Sequence, residues 1–92
     1  MFLQGDLQAV FDALYAIGAI DPVLQMDWEQ VTQEMLHNPQ QVYRAFDEIN
    51  ACAGNRDLIA QKLGAMDQRS VYYVAMEVAR EFCEFQDKHI LH

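Results

Sequence analysis

Residues 67–89 read DQRSVYYVAMEVAREFCEFQDKH, a stretch without Gly or Pro and with apolar residues at three- and four-residue spacing. That spacing is the period of one helical face, and its length predicts a long helix opened by Asp67. At about 100° per residue, Val71, Val74, Ala75, Val78, Phe82 and Phe85 form one apolar stripe. Tyr72, Met76, Ala79 and Cys83 form a second stripe beside it. Together they span about 200° of arc, where a helix lying on one core needs about 100°. Glu77, Arg80, Glu81, Glu84, Asp87 and Lys88 fill the remainder, with Tyr73 among them. The helix therefore asks for cover on two sides, and is expected either at the centre of the domain or at a dimer interface.

Working outward, the same period runs through the rest of the chain. Asp6 is placed to cap a helix carrying Leu7, Val10, Phe11, Leu14 and Ile17. Asp21 with Pro22 reads as the next helix start, because a proline at the first helical position sacrifices no hydrogen bond. Leu24, Trp28, Val31 and Met35 continue it, and Asp27 followed by Gln30 is a second capping box that would start this helix late or kink it near Met26. Asn38-Pro39 opens a helix with Val42, Ala45, Phe46, Ile49 and Ala53 on its apolar face. Gly54 reads as a stop and Asn55 as a further start, leading to Leu58, Ile59, Leu63 and Met66. No segment alternates with period two, and no linker divides the chain. The expectation is one all-α domain over residues 1–92, a compact bundle of four to five helices.

Composition agrees with a packed fold. Apolar residues make up 52% of the chain, with two Pro and four Gly, unlike the polar, proline-rich composition of disordered segments. The first helix adds a demand of its own. Ala9, Ala13 and Ala16 form a ridge of small residues opposite its larger apolar stripe. Two helices with two apolar sides strain the capacity of a small monomer, so self-association as a homodimer is expected, through Tyr72, Met76, Ala79 and Cys83.

Charge narrows the choice of partner. The net charge is −8, and all six basic residues lie at Arg44 or later, while Asp6, Asp12, Asp21, Asp27, Glu29 and Glu34 precede them. A surface without cations disfavours nucleic acid and anionic lipid and suits a basic partner. No cationic region followed by an apolar run marks the N-terminus, and no stretch is long and apolar enough to span a bilayer, so a cytoplasmic, non-membrane protein is expected.

Catalytic and metal chemistry find little purchase. Cys52 and Cys83 read as reduced core thiols. His37 lies at a helix end, and His89 and His92 lack a second ligand pair at zinc-site spacing, so no metal is expected. There is no glycine-rich phosphate loop, no EF-hand loop, and one serine, Ser70, outside any carrier motif. No cofactor and no catalytic residue are assigned.

The sequence thus reads as a non-enzymatic interaction module: an adaptor, small chaperone, inhibitor or immunity-type protein that binds a partner helix or basic surface. Trp28 and Tyr73 are the expected anchors, with Asp27, Glu29 and Glu34 steering the partner. An accessory subunit of a larger assembly is the first alternative. An acidic nucleic-acid mimic is the second, although its carboxylates would be sparse.

Overall fold

The computed structural model describes the backbone of residues 7–90 and the side chains of residues 7–81. The helices run α1 (Leu7–Ala16), α2 (Ile20–Gln25), α3 (Trp28–His37), α4 (Pro39–Asn50), α5 (Arg56–Ala65) and α6 (Gln68–Ile90), with no strand among the described residues. The fold is all-α, as expected, but with six helices among the described residues rather than four or five. The extra helix comes from Asp27. Its backbone is extended, and its carboxylate accepts from the Gln30 N–H at 3.1 Å. A side chain that caps a new helix start competes with continuation of the old one. The segment expected as one helix through Leu24 and Val31 is therefore divided at Met26.

Other boundaries follow local chemistry. α1 ends where Gly18 adopts φ +73°. There the Ala19 N–H reaches the Leu14 carbonyl at 2.9 Å, and the Gly18 N–H reaches that of Tyr15 at 3.1 Å. That paired pattern closes a helix through a left-handed residue, which glycine adopts without a Cβ penalty. α2 begins two residues earlier than expected, so Asp21 and Pro22 lie in its first turn and Ala19 holds the cap position. Asn38 does not cap α4 with its side chain. Its Nδ2 and its backbone N–H both donate to the Glu34 carbonyl at 2.9 Å, closing α3 instead. Asn55 and Asp67 do cap α5 and α6: Asn55 accepts from the N–H groups of Asp57 and Leu58, and Asp67 from that of Ser70 at 2.8 Å. Asp6 lies outside the described residues.

α6 forms the centre of the bundle, packed by α4, α3 and α1, while α1 makes its most extensive contact with α5. Tyr73, Val74 and Ala75 are consecutive and all buried. Three successive side chains fan across about 200°, so the chain itself covers both sides of α6 at this level. The wide apolar arc thus serves the monomer here. The radius of gyration, 12.7 Å, is close to the roughly 12 Å of a packed domain this long. α1 is also enclosed on two sides. Ala9 and Ala13 of the small ridge are buried together with Val10 and Leu14, while Ala16 is exposed. Small side chains allow two helices to approach closely, which lets α1 sit between α5 and α6 without a second copy. No helix among the described residues is long and apolar enough to cross a membrane.

Candidate functional site

The division at Met26 places Leu24 and Trp28 on the rim of an apolar groove. Phe11 and Leu14 come from α1, Ile20, Val23 and Leu24 from α2, Trp28 from α3, and Ala75, Val78 and Ala79 from α6. Leu14, Val23, Ala75 and Val78 are buried and form the floor. On the rim Leu24 is 68% exposed, Phe11 39% and Trp28 38%. The groove encloses about 140 Å³. A dry cavity of about 150 Å³ accommodates benzene, so the space suits one leucine- or phenylalanine-sized side chain. Its lining carries no ionisable side chain and no nucleophile. Such a surface can bind an apolar group but cannot transfer a proton.

The expected anchors and steering acids separate. Trp28 lies on the groove rim, and Asp27 and Glu29 flank it in sequence and are exposed. Asp21, also exposed, lies three residues before Leu24 on α2. Glu34 and Tyr73 belong elsewhere. Tyr73 is 2% exposed, contrary to its expected place among surface charges. Its hydroxyl donates to Glu34 Oε1 at 3.2 Å, while Arg69 Nη1 binds Glu34 Oε2 at 2.7 Å and Gln30 Nε2 reaches the same oxygen at 3.4 Å. The Glu34 carboxylate is thus consumed inside the protein and is not a free steering charge. Burial, and then the adjacent Glu34 charge, raise the Tyr73 phenol above its ordinary pKa. The reason for the difference is that α3 packs on the Tyr73 side of α6, which turns an apparently polar sector into a buried one.

The expected dimer residues separate as well. Tyr72 and Met76 are half-buried against the protein's own core. The Tyr72 hydroxyl accepts from Gln68 at 2.8 Å, and the Met76 sulfur lies 4.0 Å from the Thr32 hydroxyl. Ala79 instead lines the groove opposite Trp28's helix. The side chain of Cys83 lies outside the described residues. Phe11, Ile20, Val23 and Leu24 line the groove without standing out in the sequence as site residues. The usable signal is the capping box at Asp27, which removes Leu24 from the face that holds Val31 and Met35.

A larger polar cleft of about 860 Å³ lies where the α3–α4 turn meets the α5–α6 turn, lined by His37, Gln41, Arg44, Glu48, Asp67 and Ser70 among others. Three of its groups engage one another: Gln41 Nε2 reaches Asp67 Oδ2 at 3.4 Å and Ser70 Oγ at 3.3 Å. Among the described residues no cluster of three His, Cys, Asp or Glu side chains is placed to hold a metal ion. The Cys52 thiol is buried and donates to the Glu48 carbonyl at 3.4 Å. No protein-family model matches this chain, and neither a characterised protein nor a solved structure shows significant similarity to it.

Proposed function

We propose that this protein is a non-enzymatic helical interaction module that seats an apolar element of a partner protein in the groove between α1, α2, α3 and α6. The observation that carries the reading is the rim: Leu24 is 68% exposed beside the half-exposed Trp28, above a floor of buried aliphatic side chains. Burying one leucine-sized side chain is worth about 1.5–3 kcal/mol, and aromatic residues at the edge of a small pocket dominate many interfaces. Covering these side chains is a favourable step that the isolated chain leaves undone.

Leu24→Asp tests the reading, because Leu24 is too exposed for the change to disturb the core. Affinity capture from the native source with wild type and Leu24→Asp should differ by the loss of specific proteins, at equal circular dichroism. Identical sets of captured proteins would remove the groove as a docking site.

A second reading, an accessory subunit held by several contacts, is favoured by Tyr15, Leu36 and Tyr43, which are 73%, 70% and 63% exposed and lie away from the groove lining. Substituting these while sparing Leu24 distinguishes the two: an assembly subunit loses incorporation, a groove binder does not.

A further inference from the structure

We infer that the occupant of the groove is a cationic amphipathic helix, an inference that rests on the docking reading above. Three observations converge on it.

The first is the apolar lining, whose one side-chain donor is the Trp28 indole N–H and which offers no side-chain acceptor. A strand or loop laid into such a groove would bury backbone N–H and C=O groups without partners, at a cost of about 1–3 kcal/mol each. A helix arrives with those groups already satisfied along its sides. The second is Ala79 on the groove wall, small and half-buried, which leaves room for another helix to approach closely.

The third is charge. α1, α2 and α3 contain no Lys or Arg. The exposed acids Asp27 and Glu29 flank Trp28 in sequence, and Asp21 lies on the neighbouring face of α2 beside Gln25 and Tyr72. Among the described residues, the cations of α6 are paired with acids. Arg69 is held by Glu34 at 2.7 Å, and Arg80 Nε by Glu77 at 3.0 Å. The rim is therefore negative and complements lysine or arginine flanking an apolar stripe. It repels a second copy of this chain, which carries the same acids and the same −8.

The test uses the full chain, whose one tryptophan, Trp28, reports from the groove rim. Three synthetic helical peptides of about 14 residues, roughly four turns, share one Leu face and differ in carrying Lys, Gln or Glu on the other. The Lys peptide should blue-shift Trp28 and bind at least about tenfold more tightly than the Gln peptide at about 0.05 M salt, and most of that advantage should vanish near 0.5 M. Asp21→Lys/Glu29→Lys should reverse the order of the Lys and Glu peptides, with helix content unchanged. Should that variant misfold, the salt dependence in wild type decides the matter alone. Equal binding of the Lys and Gln peptides would overturn the cationic occupant and leave the groove standing. No Trp28 response to any peptide would overturn both. A dimer in light scattering that Leu24→Asp converts to monomer would assign the groove to a second copy and overturn the inference.

Discussion

The hydroxyl of Tyr73 on α6 donates to the carboxylate of Glu34 on α3 across 3.2 Å, joining residues thirty-nine apart in sequence. Arg69, one turn earlier on α6, holds the other oxygen of the same carboxylate. This three-residue cluster pins the helix that carries Trp28 to the centre of the bundle. Tyr73→Phe should cost about 1 kcal/mol, the net worth of one hydrogen bond. Glu34→Ala should cost more, about 2 kcal/mol, because it leaves a buried phenol without its acceptor. The Arg69 side chain is 55% exposed, so its ion pair adds less than about 1 kcal/mol. Urea unfolding of the two single variants and the double variant reads the coupling. Full additivity would mean that the bond contributes nothing.

The raised Tyr73 phenol contributes stability that alkali removes. Its folded pKa exceeds the unfolded value of about 10. The folded state thus binds the phenolic proton more tightly than the unfolded chain does. The corresponding stabilisation is complete below about pH 10 and is lost as pH rises through the folded value. In a spectrophotometric titration, the Tyr73 phenol should ionise late. That late phase should be absent in Tyr73→Phe, and its survival there would assign it to another tyrosine.

Two glycine-to-alanine changes should act with opposite sign. Gly18 has φ +73°, and a Cβ there meets no atom within 4 Å, so the requirement is conformational and not spatial. Gly18→Ala should destabilise by about 1 kcal/mol. Gly64 lies within α5, is exposed, and has equally open surroundings. Gly64→Ala should stabilise by up to about 1 kcal/mol through helix propensity. Thermal melts of both variants test this, and shifts of the same sign would contradict it.

The cap at Asp27 links stability to the groove. Asp27→Ala should cost about 1 kcal/mol by freeing the Gln30 N–H. It also removes the turn that presents Leu24 and Trp28 together, so the Trp28 emission maximum should move. Asn55→Ala, which removes the cap of α5 instead, should cost a similar amount and leave Trp28 emission unchanged.

Ala79→Arg separates groove from core. Ala79 is half-buried on the groove wall, whereas Val74, on the same helix, is fully buried. Ala79→Arg should preserve the helical circular dichroism spectrum while filling the groove and adding a positive charge to it. Val74→Arg should unfold the chain, because its charge would be buried without a partner. Loss of helix in Ala79→Arg would place that residue inside the subunit.

Much of the fold was legible because helix signals are local. The period of residues 67–89, the caps at Asn55 and Asp67, and the break at Asp27 each involve groups within about four residues of one another. Asn38 shows the limit of such signals. Its side chain had two competing local uses and took the carbonyl behind it rather than the N–H groups ahead. The candidate site was only partly legible. Trp28 and Ala79 both stand out in the sequence, yet as members of different surfaces, and they share one groove.

The sequence by itself determined the all-α class, most helix boundaries and the negative sign of the surface around α1 to α3, because periodicity, capping and charge are properties of neighbouring residues. The tertiary structure decided which apolar side chains the chain covers for itself and which it leaves open. Tyr73 lies among acids and a base on the α6 projection, yet α3 buries it. Leu24 has the spacing of a core residue, yet α2 leaves it 68% exposed. An apolar face is covered only when another helix, distant in sequence, reaches it, and no local pattern records that encounter.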